Sequence, residues 1–543
     1  MAANTTTLGR GGVLINLEAR AKVAVMGAVM LTLFLSALDQ TIVGTALPRI
    51  VTELNGTSLY TWVVTAYLLS STITVPIYGK LSDVYGRKWP LMAGVALFLA
   101  GSLLSGLSQD MSQLVAARAL QGLGAGATFP ISIAIIGDLF SARERGKYQG
   151  LFGAVFGLSF LIGPYTGGWI TENISWHWVF FVNLPLGLLS LLVLGAVLPS
   201  VGGHRASLRD LDYFGIAVFT AGMVPLLLGL TNKGEPTSSG VLPSWTDIRV
   251  GGEMLLGAVL LGVFLINERY AKHPIIPLRM FKNRDFSISM AAGFLFGIAM
   301  FGAVIFLPRF YQTVRGVSAS ASGYYIWPLL VGLIGSSVGS GQLISRLGRY
   351  KWIMVGAGVV LVIGAFLMTH LQASTPDWQL WTWMLLFGMG IGPSMAALTV
   401  IVQNSVPREQ MGAGTGTLVF MRQIGGSVGL AVAGTVFATQ FEAKLPGQLS
   451  QQGVPSAVAQ GVLSHQGNVQ GVGNLLPVLE KVLGPQWQYL APGIVRGIYN
   501  SFALSVADLF WVSVVAASVA FVGLLLLHDR KLLHHGEEPA MAA

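Results

Sequence analysis

Long runs of mostly apolar residues, separated by short polar segments, dominate the chain. They fall at about 23–47, 60–79, 89–107, 113–137, 148–170, 178–199, 211–231, 251–267, 287–308, 322–344, 351–370, 379–402, 415–440 and 501–527. A helix needs roughly 20 apolar residues to cross the hydrocarbon of a bilayer, so each run is read as a membrane-spanning helix. The run at 251–267 is the shortest. Two segments break the pattern. Residues 269–285 are basic and interrupted by proline, which predicts a linker. Residues 441–500 are rich in Gln and Gly with short apolar pieces such as Leu475–Leu483, which predicts a partly helical outer loop or hairpin. No cleavable leader is expected, because the first run is long and carries Asp39.

Composition narrows the class. Of 543 residues, 53% are hydrophobic and 10% charged, against roughly 25% charged in a soluble domain. A soluble enzyme of this length lacks the polar residues to cover its surface, and a disordered chain is far less apolar. With no cysteine there is no disulfide, thiolate nucleophile or Cys-ligated metal. The net charge of +9 reads as a topology signal rather than a nucleic-acid footprint. Most Lys and Arg, among them Lys22, Arg87, Lys88, Arg143, Arg346, Arg349 and Arg530, fall on one side of the predicted topology. By the positive-inside rule that side is cytoplasmic and holds both termini. A monomer in the cell membrane is expected, with no nucleic-acid partner and no cofactor.

A repeat divides the chain. Gly79-Lys80-Leu81-Ser82-Asp83-Val84-Tyr85-Gly86-Arg87 matches Gly341-Gln342-Leu343-Ile344-Ser345-Arg346-Leu347-Gly348-Arg349 in Gly, Leu, Gly and Arg, each copy following the second span of a block. The expected organisation is a cytoplasmic segment at 1–22, a six-helix bundle at 23–200, an inserted helix pair at 205–268, a cytoplasmic linker at 269–286, a second six-helix bundle at 287–527 that includes the outer loop 441–500, and a cytoplasmic tail at 528–543. Parallel halves of this kind are a transporter architecture, with a site between them near the midplane.

Four strings carry candidate chemistry. In the loop 79–88, Gly79 begins the string, Gly86 supplies a tight turn, and Asp83 and Arg87, four apart and followed by Lys88, can pair as a latch between helices. In the fourth span Arg118 precedes Gln121 and Gly122-x-Gly124-x-Gly126. An arginine within a span is functional by default, and the glycines read as close helix packing rather than a nucleotide loop, since no strand precedes them. The fifth span ends with Gly163-Pro164-Tyr165-Thr166-Gly167-Gly168, whose proline removes a helix hydrogen bond. The first span carries Asp39 and Gln40. Asp39 lies ~12 Å and Arg118 ~8 Å from the outer ends of their spans at ~1.5 Å per residue, so the two can meet.

These strings resemble the major facilitator superfamily, and within it the fourteen-helix drug:proton antiporters. The loop 79–88 is similar to the superfamily's loop signature, Arg118–Gly126 to its fourth-helix motif, and Gly163–Gly168 to the fifth-helix motif of exporters. Leu38–Pro48 is similar to the first-helix motif of the fourteen-helix branch, with Gly44 where Asn is more usual. Trp176–Gly187 and Arg422–Gly429 also look like that branch. The resemblance covers about 23–440 and the last span. It implies an all-α membrane protein of the major facilitator fold that exports amphipathic drugs in exchange for protons.

Coupling needs a membrane carboxylate whose proton affinity changes. Burial favours its neutral form and a nearby guanidinium its charged form. Asp39, Asp138, Glu253 and Asp508 are the candidates, Asp39 first and Asp508 second as carrier, with Arg118 as Asp39's partner. Asp39 and Arg118 otherwise form a structural ion pair. Arg422 and Gln423, with Gln40 and Gln121, are candidate cavity-lining residues, or in the case of Arg422 and Gln423 stabilise the second half. The spans 287–308, 322–344, 351–370, 379–402 and 415–440 hold no acid and a second-half acidic site that would favour dications is not evident, which favours lipophilic monocations or neutral amphiphiles as cargo. Alternative functions are a dedicated exporter of an endogenous metabolite, antibiotic or lipid, and a non-transporting receptor or scaffold. A membrane enzyme finds no support in metal-ligand spacing or nucleophile constellations.

Overall fold

The computed structural model describes residues 4–8, 12–16, 18–54, 56, 59–199, 211–233, 243–455 and 487–532. The helices are α1 (Ala19–Glu53), α2 (Tyr60–Tyr85), α3 (Lys88–Gly106), α4 (Met111–Leu139), α5 (Ala142–Asn173), α6 (Trp178–Phe181), α7 (Asn183–Val197), α8 (Tyr213–Lys233), α9 (Glu253–Tyr270), α10 (Arg284–Arg315), α11 (Ala319–Tyr325), α12 (Trp327–Leu347), α13 (Lys351–Met368), α14 (Asp377–Ser405), α15 (Met411–Gln451) and α16 (Trp487–Leu525). Among the described residues, fourteen helical stretches are long and apolar enough to cross a membrane, with α6 and α7 forming one of them. The departure from an all-α chain is a short antiparallel hairpin, β1 (Asn4–Leu8) with β2 (Gly12–Asn16), ahead of α1. Its Thr, Val and Ile residues are β-branched and favour extended backbone.

Local chemistry explains where helices differ from the expected runs. The run at 322–344 divides at Ile326, and Pro328 sits in the first turn of α12, where its missing N–H costs no helix bond. The short run at 251–267 gains a π-helical turn, Ile248–Gly252, so the stretch Ile248–Tyr270 reaches 23 residues. Both ends of the segment 441–500 are helical. Helix α15 continues to Gln451 and α16 begins at Trp487, because their prolines, Pro446 and Pro492, are accommodated within helix. Leu475–Leu483 lies outside the described residues, as do Arg205 and the tail beyond 532.

Two helix bundles form the body. In the first, α1 packs on α4, α5 and α7, and α2 and α3 pack on α4. In the second, α10 packs on α15 and α16, and α12 and α13 on α14. Each has its own apolar core. The inserted pair α8–α9 is pinned to the body by aromatic contact: the Phe219 ring lies 5.0 Å from Phe264 and 5.3 Å from Phe420 of α15.

The halves meet at two related crossings. Gly79 of α2 faces Gly412 of α15 so closely that a Cβ on either would lie 2.4–2.5 Å from the other's carbonyl oxygen. Gly341 of α12 and Gly146 of α5 repeat this arrangement, with corresponding distances of 2.2 and 2.8 Å. Gly79 and Gly341 are the first residues of the two repeat copies, so the repeated string marks the seam. Both crossings sit at the end of the bundle that carries most of the Lys and Arg residues, here called the basic end. The described C-terminal residues return to the same end: His528 donates its backbone N–H to Asp285 at 3.0 Å and Leu532 to Gly348 at 2.8 Å.

Gly79→Ala should therefore destabilise the protein by about 1–3 kcal/mol, the usual cost of overpacking. Gly335→Ala on α12, where a Cβ meets nothing within 4 Å, should be neutral or stabilising by up to ~1 kcal/mol. Thermal unfolding in detergent separates the two; equal melting temperatures would contradict a tight seam at Gly79.

Candidate functional site

Asp39 lies 20 residues into α1 by its sequence position and is fully buried. A bare carboxylate there would be prohibitive, and the surroundings answer with donors. Arg118 Nη1 of α4 lies 2.5 Å from Asp39 Oδ2. Gln121 Nε2 donates to Oδ1 at 2.8 Å, and Asn183 Nδ2 to the same oxygen at 3.1 Å. Arg118 also donates to Gln121 Oε1 at 2.7 Å and to the Val63 carbonyl at 3.3 Å. Its guanidinium stacks 4.2 Å from the Tyr67 ring centre. Asn183 is held in turn by Ser102, which donates to the Phe180 carbonyl. Gln40 is half-buried beside the Tyr67 hydroxyl.

The glycines of α4 make this convergence possible. A Cβ at Gly122 would lie 2.4 Å from the Tyr67 carbonyl oxygen, one at Gly124 2.4 Å from that of Gly94, and one at Gly126 2.7 Å from that of Ser71. They are packing positions, as the sequence indicates, and bring α2 and α3 against α4 on either side of Arg118. Helix α5 uses the same device on α1. A Cβ at Gly163 would strike Thr41 and one at Gly167 would strike Thr45, just beyond Asp39. Pro164 stays within a continuous α5, and Gly168, one position round the helix, is half-buried.

The loop motif forms a latch across the seam. Gly86 adopts φ 81°, which requires glycine. Arg87 bridges Asp83 at 2.6 Å and Asp138 of α4 at 2.8 Å. Asp83 accepts from the backbone N–H groups of Gly412 and Ala413, at 2.8 and 2.7 Å, in the first turn of α15. A carboxylate at a helix N-terminus is favoured by the helix dipole. Lys88 donates to the Gly195 carbonyl near the end of α7 at 2.7 Å. At the second crossing the polarity is inverted. Arg143 of α5 donates Nε to the Ser345 carbonyl at 2.5 Å and Nη2 to that of Arg346, at the C-terminal end of α12.

Other candidates lie apart. Asp508 pairs with Lys444, both partly exposed, ~26 Å along α16 from its last residue and so near the end opposite the basic one. It does not join the Asp39 network. Glu253 accepts from Asn232 within the inserted pair. Arg422 of α15 touches the Met395 sulfur at 3.0 Å and the Ser394 carbonyl at 3.2 Å; Gln423 Oε1 and Arg422 Nε have no partner. A cavity of about 460 Å³ near the opposite end is lined by Leu161, Tyr324, Tyr325, Trp327, Asp377 and Trp381. Sequence reasoning did not assign roles to Asn183, Ser102, Tyr67 or Arg143. Asn183 is a polar residue within an apolar run; the others carry no spacing signal.

The sequence profile described as Major Facilitator Superfamily matches residues 29–430, the region holding both crossings and the Asp39 network. The chain belongs to the major facilitator superfamily. It is 39% identical over 407 residues to the multidrug transporter protein MdtP of Bacillus subtilis (strain 168), covering 75% of this chain and 74% of the relative. It is 33% identical over 511 residues to multidrug resistance protein 3 of the same organism, covering 94% and 96%. Among solved structures, the proton:xylose symporter XylE bound to 6-bromo-6-deoxy-D-glucose shares the fold, with a TM-score of 0.59 at 14% identity over 95% of this chain and 98% of that one. As a major facilitator protein the chain is a membrane transporter, and its multidrug-named relatives match it over most of their length.

The latch makes a direct prediction. Asp83→Asn removes the charge facing α15 and Arg87, so the basic end should open more often. Because the chain has no cysteine, a single Thr415→Cys reports on this: Thr415 is fully buried beside Pro130 across the seam. Maleimide labelling there should accelerate several-fold with Asp83→Asn; an unchanged rate would remove Asp83 from the latch.

Proposed function

We propose that this transporter is a proton-coupled antiporter that exports amphipathic drugs or toxic compounds across the cell membrane, with the basic end and both termini in the cytoplasm. The proton gradient is its energy source and no cofactor takes part. The observation that carries this reading is the Asp39 network. Of the buried acids among the described residues, Glu268 and Asp285 lie near helix ends, whereas Asp39 sits deep within a span.

The chemistry follows from the contacts. Ionised Asp39 is matched by Arg118, Gln121 and Asn183. Protonation removes its charge, weakens the pairing with Arg118 and frees α1 and α4 to move relative to each other. Helix α1 also packs through Thr41 and Thr45 on α5, and α5 crosses the seam at Gly146, so a shift at Asp39 has a packed route to the second half. At the basic end the Asp83–Arg87–Asp138 latch opposes opening. Alternation between the two ends couples proton uptake outside to release inside, with substrate moving the other way. Export of drugs is supported by the names of the two Bacillus relatives, a multidrug transporter and a multidrug resistance protein, and by the resemblance of Gly163–Gly168 to the exporter motif.

The test is efflux of a fluorescent dye such as ethidium from cells and proteoliposomes. Wild-type efflux should collapse with a protonophore. Asp39→Asn should abolish gradient-driven transport while leaving the protein folded; full activity in this variant would remove Asp39 as carrier. Arg118→Ala should displace the pH profile of transport, and an unaltered profile would exclude it from coupling.

A further inference from the structure

Of the charges the sequence puts inside apolar spans, most are matched. Asp39 is paired with Arg118 and Asp508 with Lys444. Arg422 is the exception: it forms no ion pair among the described residues, and its donors meet only a thioether sulfur and a backbone carbonyl, with Nε unpartnered. A thioether is a weak acceptor, and a guanidinium stays charged at any physiological pH. A half-buried guanidinium within a span, without a carboxylate partner, is costly, so it asks for a function.

The position of Arg422 defines what it can do. It lies 11 residues from the start of α15, ~16 Å from the basic end, and its neighbour Ser394 lies the same distance from the end of α14. Both are near the midplane of a ~30 Å hydrocarbon slab. Met421, the preceding residue, packs against the cores of both halves, so this turn of α15 is at the seam. Arg422 is half-buried. Ser394, whose carbonyl it touches, leaves its own hydroxyl unpartnered. The runs 287–308, 322–344, 351–370, 379–402 and 415–440 contain no acid, and Asp508 of the remaining second-half span is already paired with Lys444. Asp377 is at an exposed helix end with Arg315 3.9 Å away.

We propose that Arg422 is the receptor for an anionic group, a carboxylate or sulfonate, on the exported amphiphile, with the Ser394 hydroxyl as a second contact. A planar guanidinium binds such groups through paired hydrogen bonds, and Met395 and Met421 offer adaptable apolar surface beside it. The cargo class is thus amphipathic anions or zwitterions, which differs from the monocations expected from the scarcity of acids. This deepens the exporter reading and rests on it for the direction of transport. Its test is binding without a gradient, so failure of coupling and failure of the site are distinguishable.

The experiment measures equilibrium binding of radiolabelled taurocholate, a steroidal sulfonate, and of tetraphenylphosphonium, an apolar cation, to the full chain in lipid nanodiscs. Wild type should bind taurocholate. Arg422→Gln should weaken it roughly ten- to a hundred-fold, the range for losing a charge-assisted contact. Arg422→Lys should retain more affinity than Arg422→Gln, and tetraphenylphosphonium binding should be unchanged in both. Equal taurocholate affinity in wild type and Arg422→Gln overturns the proposal, as does absence of taurocholate binding to wild type. Loss of both probes together assigns Arg422 a structural role and also overturns it.

Discussion

The cost of holding charge inside an apolar slab organises this protein. Asp39 cannot be solvated where it stands, so three side chains must arrive with correct geometry: Arg118 and Gln121 from one turn of α4, and Asn183 from the start of α7. Arg118 is in turn braced by the Val63 carbonyl and the Tyr67 ring of α2, and Asn183 by Ser102 of α3. One carboxylate therefore ties α1, α2, α3, α4 and α7 into a single unit. Removing one partner leaves the others facing an unmatched group, so the network stands or falls as a unit.

The second organising constraint is backbone proximity at the seam. Gly79 against Gly412 and Gly341 against Gly146 are equivalent crossings made by equivalent positions of a repeat. Their electrostatics are opposite. At one, the Asp83 carboxylate meets the N-terminal N–H groups of α15; at the other, the Arg143 guanidinium meets C-terminal carbonyls of α12. Each charge opposes the dipole end that attracts it. Divergence of the second copy, with Ser345 at the position equivalent to Asp83, has thus replaced a capping anion with a cation from the partner helix. The contact survives although the sequence signature has weakened.

How much of this is legible in the sequence depends on the kind of residue. The spans are plain, because hydrophobicity over 20 residues is a strong signal. Asp39 and Arg118 stand out because charge in a span is rare, and helical rise alone puts them at similar depth. Gly86 and the latch pair follow from local spacing. Asn183, Ser102 and Tyr67 are not legible: uncharged polar residues are common in spans, and only the helix packing brings these to Asp39. Arg143 is hidden for another reason, since its partners are backbone carbonyls, which have no residue identity. Within 441–500 the Gln- and Gly-rich composition predicts a partly helical segment, but not that α15 and α16 continue through Pro446 and Pro492.

Charge compensation finally distinguishes the two halves. In the first, an acid and a base neutralise each other at depth. In the second, Arg422 stands near the midplane without an ion-pair partner among the described residues, which is the basis for the anion site proposed there. In the proposed cycle a proton added to Asp39 and an anion docked at Arg422 would act on opposite sides of one seam, through helices that cross at Gly146–Gly341 and Gly79–Gly412. Neither ligand needs to touch the other for their binding to be linked. It is enough that each favours a different arrangement of the same two crossings, and under the proposed mechanism reciprocity of the coupling free energy makes the effect of one ligand on the other's binding equal in both directions.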